Sequence, residues 1–483
     1  MRLKHKLAAG FLAAVLTIGN MASAQAMADG KDENGIYRWE IENDFAQGVN
    51  VKDAEVKEIT VKYTEKANSG KIQSVEGTAG NGKITAQLKT DAKEILWLYY
   101  TEDSGKNFKK VNMDKIIRKK MGFSEDMLFW IYDFQFFGDL LTLTGYYQDA
   151  EENTYWFVLA SKNMKSFVRR DMPTIENSGN YLPYLQKIGT QYIWYVRQEY
   201  WSQDPKEVAN YKFIYYAGST LAKMKKKIAT AKFPFSYEES DGVDIGIRIQ
   251  VSASDSGMNL MYTSYIGDTL LDAKMLLTKD LKTWSKPIDL FANQAWSWTC
   301  SSGNQGVVLR NVIPDPSFMG EGDDLGLVSF CAYDYAGNEL GFSAVSSRLG
   351  YLDVEMSGMY IMEKKGEIQY ITILDGYTNA FTVAKDGNVT VQVAPICNGD
   401  EYRTYDNQIT YLTQDTEKGV FFISDYSGNV YMTQDGFASF VRFAAPDQGK
   451  DLLDFNVVGN YLIFDFPEKT CKVSLSTLYK NFK

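Results

Sequence analysis

The stretch "LLTKDLKTWSKP" (Leu276–Pro287) decides how this chain is interpreted, because its pattern occurs three more times. The pattern is a Ser or Thr, then an Asp or Asn two residues later, then an aromatic residue a few positions on. The other copies are "YYTEDSGKNFKKV" (Tyr99–Val111), "VLASKNMKSFVRRDMP" (Val158–Pro173) and "YMTQDGFASFVRF" (Tyr431–Phe443). Recurrence of this kind predicts that one structural unit is repeated along the chain.

The segments between these copies have the composition of β-strands. Short runs rich in aromatic and β-branched residues alternate with turn signals, as in "QYIWYVRQEY" (Gln191–Tyr200) and "KGVFFISDY" (Lys418–Tyr426). Turns at this spacing are typical of all-β folds. Helix signals are few, with Lys110–Lys120 and Leu221–Ile228 as short candidates.

Weaker copies of the pattern occupy the gaps and begin at Gly218, Ser346, Ala384 and Ser476. An interval of about 40–60 residues with four strands per unit predicts a single β-propeller, with seven or eight blades. The last copy leaves no room for a fourth strand. Residues 36–42, "IYRWEIE", have the strand pattern to supply it, so we expect an N-terminal strand to close the ring.

The physical basis of the pattern is turn chemistry. A hydroxyl and a carboxylate accept backbone N–H bonds in a tight hairpin, and Gly105 or Gly436 supplies a positive φ. The pattern resembles the Asp-box (BNR) repeat of sialidase-type propellers, S-x-D-x-G-x-x-W. "TEDSGKNF" (Thr101–Phe108) is similar to it with Phe for Trp, and "TKDLKTW" (Thr278–Trp284) is similar to a shorter form. The resemblance implies that each box joins the third and fourth strands of a blade. It also implies that Asp103, Asp280 and Asp435 are structural rather than catalytic.

Residues 1–26 are expected to be a secretory signal peptide, and residues 27–483 the propeller domain. Basic Arg2, Lys4 and Lys6 precede an apolar run at Leu7–Gly19 and a small-residue cleavage site at Ala22–Ala24, with Ala24–Ala26 as the alternative. No later segment reaches the length of an apolar membrane span. We therefore expect a secreted or periplasmic protein, monomeric and without a membrane span.

Charge and composition exclude several kinds of chemistry. Loss of the signal peptide changes the formal net charge from −10 to −13, which disfavours nucleic acid as a partner. The only histidine, His5, lies in the signal peptide, so histidine-based triads and His-ligated zinc are excluded from the mature chain. The Asp-rich "EGDDLG" (Glu321–Gly326) lacks EF-hand spacing, so a charged turn is favoured over a Ca²⁺ site. We predict neither a metal nor a cofactor.

Cys300, Cys331, Cys397 and Cys471 are widely spaced and form no CxxC motif. Export permits disulfides between them, in any of the three possible pairings, and free buried thiols are equally compatible with the sequence.

The resemblance places ligand loops on the face opposite the boxes. Two of the loops there, "DYAGN" (Asp334–Asn338) and "DYSGN" (Asp425–Asn429), are expected to be hairpin turns in second-to-third connections. Other loops combine aromatic residues with carboxylates, the composition of a carbohydrate site. The candidate ligand-binding residues are Glu199, Tyr200, Trp201, Trp296, Trp298, Asp400, Glu401, Tyr402, Arg403, Tyr405 and Asp406. Trp296 and Trp298 face one way on an extended segment, so core and cleft positions both remain open for them.

These loops favour an exported propeller that binds a glycan or a surface protein without catalysis. The alternative is a glycoside hydrolase with two carboxylates across the scissile bond. Sialidases, which the boxes resemble, bind the sugar carboxylate with three arginines and use a Tyr–Glu nucleophile pair. The sequence lacks the family's Arg-Ile-Pro motif before the first box, and only Arg197, Arg310 and Arg403 lie near the predicted mouth.

Overall fold

The computed structural model describes residues 51–482 except 54, 125–126, 231–242, 291–296, 304–305, 315–324, 349–358, 365–366, 375–376, 385–388, 395–408, 416, 426 and 436–438. These residues form eight sheets, each built on four consecutive antiparallel strands or on three such strands and an N-terminal one. The architecture is all-β and propeller-like, as the sequence predicts, and the sheets are numbered here in chain order.

The first four sheets are simple antiparallel meanders, and each buries an alternating apolar face because side chains of a strand point to opposite sides. A fifth strand, Gln198–Ser202, leaves the third sheet and pairs with the first strand of the fourth sheet. The strands of these sheets are, in order, Ile72–Gly80, Thr85–Asp91, Leu96–Thr101 and Lys109–Asn112; Phe129–Phe137, Leu140–Gln148, Thr154–Ser161 and Val168–Met172; Tyr184–Ile188, Gln191–Tyr195, Ile214–Gly218 and Lys225–Ile228; Ile245–Ser254, Gly257–Ile266, Thr269–Thr278 and Ile288–Asp289.

The remaining sheets follow the same scheme, except that the eighth has three strands from the C-terminal part of the chain. Their strands are Ser297–Ser302, Val307–Pro314, Leu325–Tyr333 and Glu339–Arg348; Met359–Lys364, Glu367–Leu374, Tyr377–Ala384 and Val389–Ala394; Ile409–Asp415, Val420–Asp425, Asn429–Thr433 and Ser439–Ala444; Asp454–Val458, Tyr461–Asp465 and Lys469–Ser474.

The N-terminal part of the described chain runs along the edges of the last three sheets. Val51–Asp53 pairs in parallel with the fourth strand of the sixth sheet, and Glu55–Glu58 does the same on the seventh. Thr64–Ala67 pairs antiparallel with Lys469–Ser474 and is the fourth strand of the eighth sheet. Residues 36–42, which the sequence nominates for this position, lie outside the described residues.

Helices are short and peripheral. The predicted helix near Lys110–Lys120 is confirmed as Met113–Met121, capped by Asn112 and ended by Gly122 at φ 72°. The second candidate is wrong as an α-helix, because Leu221–Lys223 is one 3₁₀ turn and Lys225–Ile228 is a strand. The other helical segments are Pro205–Asn210, Pro446–Gly449 and Leu475–Tyr479.

The four strong sequence boxes all join the third and fourth strands of a sheet, as predicted. In the first sheet the Gly105 N–H donates to Thr101 Oγ1 (3.0 Å), and the Asn107 N–H donates to Asp103 (2.9 Å). In the fourth sheet Asp280 accepts the backbone N–H of Thr283 at 2.7 Å. Because these carboxylates are used inside their own turns, their role is structural.

Two of the weaker boxes are wrong. Ser346 lies inside the strand Glu339–Arg348 and not in a turn. The turn Asp334–Asn338, which we predicted as a second-to-third connection, is instead the third-to-fourth connection of the fifth sheet. Ser476 lies in the helix Leu475–Tyr479, because the fourth strand of the eighth sheet comes from the other end of the chain. The hairpin character of Asp334–Asn338 is confirmed, since Asp334 accepts the backbone N–H of Ala336 and of Asn338.

Apolar clusters fill the spaces between neighbouring sheets. Fully buried Leu143 and Phe157 belong to the cluster between the first and second sheets, and the box residue Phe167 joins it. The box residue Trp284 packs against the cluster between the third and fourth sheets. Cys331 and Cys471 are buried free thiols, whereas the side chains of Cys300 and Cys397 lie outside the described part.

Candidate functional site

Exposed aromatic side chains occur on one face of the molecule. Alternating strand direction places the box turns at one end of each sheet, and the starts of the first and third strands at the opposite end, here called the loop face. In the described part of the chain, every tryptophan or tyrosine in the exposed class lies on the loop face of the second, third or fourth sheet. These residues are Trp130, Tyr155, Tyr181, Tyr184 and Trp201.

The strand Gln198–Ser202 carries the central part of the site. It follows the second strand of the third sheet and crosses to pair with the fourth sheet, with Trp201 opposite Gly246. The helix Pro205–Asn210 holds its end, since Glu207 accepts hydrogen bonds from Tyr200 (3.1 Å) and Ser202 (2.7 Å). The strand is therefore fixed in position before any ligand binds.

Glu199 is the centre of a compact charged cluster. The Glu199 Oε1 atom lies 3.0 Å from Arg197 Nη2 and accepts a hydrogen bond of 3.2 Å from the Tyr181 hydroxyl. Arg248 Nε is 3.4 Å from the same oxygen, which is within ion-pair distance but outside hydrogen-bonding geometry. Through this one oxygen, Glu199 of the strand Gln198–Ser202 contacts both the loop that carries Tyr181 and the first strand of the fourth sheet, which carries Arg248.

Aromatic rings flank this cluster on both sides. The Arg197 guanidinium lies 4.3 Å from the centre of the Tyr181 ring. The Arg248 guanidinium lies 4.8 Å from the Tyr265 ring and 5.6 Å from the Trp201 ring. Cation–π contacts of this kind hold planar groups in fixed orientations.

Trp201 depends on a glycine below it. A Cβ atom at Gly246 would lie 2.3 Å from the Trp201 ring, so only glycine lets the indole approach the strand backbone. Tyr181, Arg197, Glu199, Trp201, Arg248 and Tyr265 are together called the aromatic–arginine surface.

A row of aromatic residues on the second sheet lies beside this surface. Trp130, Tyr146 and Trp156 occupy one register row, and the Trp130 and Tyr146 rings stack with centroids 5.0 Å apart. Tyr132 donates to the Pro183 carbonyl (2.6 Å) and so ties this sheet to the loop that carries Tyr181 and Tyr184. Stacked neighbours leave the exposed Trp130 little rotational freedom.

Only part of the predicted site lies in the described chain. Glu199 and Trp201 belong to the aromatic–arginine surface, whereas Tyr200 turns away and stacks on Tyr211 with centroids 4.8 Å apart. Trp298 lies in the strand Ser297–Ser302, opposite Asn311, and its side chain is outside the description. Trp296, Asp400, Glu401, Tyr402, Arg403, Tyr405 and Asp406 lie outside the described residues, as do residues 321–324.

Tyr181, Arg248 and Tyr265 were missed from the sequence. Arg248 and Tyr265 occur inside strands. The alternation of side chains along a strand assigns each of them to one face of the sheet, but it does not show that solvent reaches this end of the sheet. Burial raises the pKa of the Tyr181 hydroxyl, and the Arg197 guanidinium opposes that effect. The phenol is therefore a hydrogen-bond donor at neutral pH.

Two other kinds of feature are absent from the described residues. They contain no group of three or more His, Cys, Asp or Glu side chains arranged to hold a metal ion. None of their helices has the length and apolar character needed to cross a membrane.

No family model matches the chain, and no curated protein matches it. Solved structures give weak likenesses. A prolyl endopeptidase aligns with 79% of this chain at 9% identity and a TM-score of 0.39, and the alignment spans 48% of that enzyme. Sqt1 of Saccharomyces cerevisiae aligns with 84% of this chain and 82% of its own at 10% identity (TM-score 0.31). An α-L-arabinanase of Penicillium chrysogenum complexed with arabinobiose aligns with 70% of this chain and 90% of its own at 12% identity (TM-score 0.30). Likenesses this weak carry no conclusion about function.

Proposed function

We propose that the chain is an exported, non-catalytic β-propeller that binds a glycan through the aromatic–arginine surface. The observation that carries the proposal is the concentration of all exposed Trp and Tyr side chains of the described residues on one loop face. Exposed apolar ring surface is unfavourable in water, and exposed apolar patches mark binding sites.

The surface supplies both kinds of contact that a sugar requires. The rings of Tyr181 and Trp201, each about 37% exposed, offer flat apolar faces for the C–H side of a sugar ring. Glu199 offers a second carboxylate oxygen to sugar hydroxyl groups, and the two guanidinium groups offer N–H donors. Because hydrogen bonds and cation–π contacts already fix these groups, little side-chain entropy is lost on binding.

The remaining architectural predictions belong to the same proposal. We propose an Asp-box propeller of eight blades, closed by Thr64–Ala67 in the eighth sheet, and acting as a monomer after signal-peptide cleavage. Support comes from the eight sheets, the shared hydrogen bonding of the box turns, and the backbone bond from Asn460 N–H to Ser104 O (3.0 Å) between the eighth and first sheets.

Replacement of Trp201 by alanine is expected to weaken glycan binding by roughly five- to thirtyfold, because a stacked ring contributes on the order of 1–2 kcal/mol. The test is binding of wild type and Trp201→Ala to a panel of host, bacterial and plant glycans. Val168→Ala, which removes an exposed apolar side chain at the box end of the second sheet, is the matched control. Equal binding by all three proteins would reject this surface, and binding to a protein partner alone would reject a glycan ligand.

A glycoside hydrolase remains the second candidate because of one specific contact. The Tyr181 hydroxyl donates to Glu199 at 3.2 Å, a Tyr–Glu pairing like the nucleophile pair that the sialidase resemblance implies. A hydrolase would release sugar from one glycan class, and Tyr181→Phe would abolish release while retaining binding. Absence of release from every glycan that the folded protein binds would reject catalysis.

A further inference from the structure

The interface between the eighth and first sheets contains a buried ion pair. Lys89 Nζ lies 2.6 Å from Asp465 Oδ1, with both side chains more than nine-tenths buried. Gln87 donates to the other Asp465 oxygen at 3.0 Å. Outside this buried pair, the two sheets diverge and leave a groove.

The groove has a volume of about 530 Å³, within the range of small-molecule sites. Its walls come from both sheets and from the N-terminal strand Thr64–Ala67. The box residue Phe108 lines the groove without filling it. The corresponding residues of two other boxes, Phe167 and Trp284, instead pack against the apolar clusters at their interfaces. Tyr99, Ile72 and Ile463 complete an apolar floor.

Lysines surround this floor although the chain as a whole is acidic. Lys66, Lys106, Lys110 and Lys472 line the groove, and in the described part of the chain none of them forms an ion pair with a carboxylate. The acidic lining residue Glu65 is paired with Lys469. Lys110 is held 3.7 Å from the Trp97 ring centre. Lys472 donates to the backbone oxygens of Gly105 (3.2 Å) and Lys106 (3.3 Å).

The ammonium groups of Lys66 and Lys472 repel each other, because the two residues lie on paired strands of the eighth sheet. Burial lowers the pKa of Lys472 and the charge of Lys66 lowers it further, while the Asp103 carboxylate acts in the opposite direction. A ligand that places anionic groups between these side chains would relieve that repulsion, and its attraction would be stronger in this partly dehydrated space than in open water.

We propose that this groove binds a small oligoanion, a ring-bearing molecule with two or more carboxylate, sulfate or phosphate groups. The volume is that of a small-molecule site, the apolar floor accommodates the ring frame, and lysines on both sheets offer partners to more than one anionic group. Since Thr64–Ala67 forms one wall, a bound ligand would also fasten the N-terminal strand to the first sheet and raise the melting temperature.

The test is binding to the full mature chain by calorimetry at low and high salt. The probes are a galacturonate trisaccharide, sucrose octasulfate and inositol hexakisphosphate, with neutral raffinose as the comparison. At least one oligoanion is expected to bind, to lose affinity as salt screens the charges, and to raise the melting temperature. The probe that binds identifies the anionic group.

A charge-reversed variant locates the site. Lys66→Glu with Lys110→Glu is expected to weaken binding by roughly tenfold or more, because two attractive charges become repulsive. Lys165→Glu with Lys282→Glu makes the same charge change in the box turns of the second and fourth sheets, outside the groove, and is expected to retain binding. If the first variant does not fold, Lys66→Gln with Lys110→Gln replaces it.

The proposal is overturned if no oligoanion binds the folded wild type, if raffinose binds as well, or if the control variant loses as much affinity as the groove variant. Trp201→Ala is expected to leave this binding unchanged, so the groove and the loop face are tested separately.

Discussion

Replacement of Lys89 by methionine is expected to lower the free energy of unfolding by about 3–5 kcal/mol, the largest stability effect among the substitutions considered. The ammonium group is the only cation within ion-pair distance of the Asp465 carboxylate among the described residues. Its removal leaves a negative charge in a position that is 2% exposed. The hydrogen bonds from Gln87 and Thr470 to that carboxylate remain but do not neutralise it.

The measurement is equilibrium unfolding in urea at neutral pH. Lys83→Met breaks the ion pair between Lys83 and Asp139, in which both side chains are more than two-thirds exposed. This variant is expected to have nearly the same free energy of unfolding as the wild type. Asp465→Asn in the Lys89→Met background is expected to restore part of the loss by removing the unpaired charge. Equal stability of the Lys89→Met and Lys83→Met variants would show that the pair does not hold the two sheets together.

Asp454→Asn is expected to stabilise the protein above neutral pH by ~2–4 kcal/mol, as judged from the size of the pKa change. Burial, together with the neighbouring Asp465 charge, raises the pKa of Asp454 to about 7. Because the pKa of Asp454 is higher in the folded protein than in the unfolded chain, the contribution of this group to the free energy of unfolding is fully present below the unfolded pKa. That stability is then lost as pH rises towards 7.

Asn at this position removes the titration while keeping a similar shape. The difference in unfolding free energy between variant and wild type should therefore grow from about pH 4 to about pH 7 and then level. Asp139→Asn, at an exposed position, serves as the control. A difference that is independent of pH over this range would contradict the raised pKa of Asp454.

The local part of this fold was predictable because its determinants are contiguous. The hydroxyl and carboxylate of Thr101 and Asp103 act within a few residues of the chain, so the turn and its place between the third and fourth strands follow from the sequence. The boxes proposed at Ser346 and Ser476 lack this carboxylate chemistry and were wrong. A hydroxyl residue followed by an aromatic residue, without the Asp or Asn two residues after the hydroxyl residue, was therefore not enough to predict a box.

Pairing between distant segments was not predictable in detail. The addition of an N-terminal strand to the last sheet follows from counting strands, yet exposed Thr64–Ala67 has no apolar alternation to mark it as the partner of Lys469–Ser474. The site shows the same limit. Glu199 and Trp201 were found because carboxylate and ring are adjacent in sequence, whereas Tyr181 and Arg248 reach them only through the fold.

The most direct test of the central claim is fluorine NMR of protein labelled with 5-fluorotryptophan, titrated with the glycan that binds best in the panel. The nine tryptophans give separate signals, assigned by single Trp→Phe variants. We predict that the Trp201 resonance shifts in proportion to the bound fraction, while that of Trp194, which is fully buried, stays unchanged. Saturable binding that leaves the Trp201 resonance in place would contradict recognition at the aromatic–arginine surface.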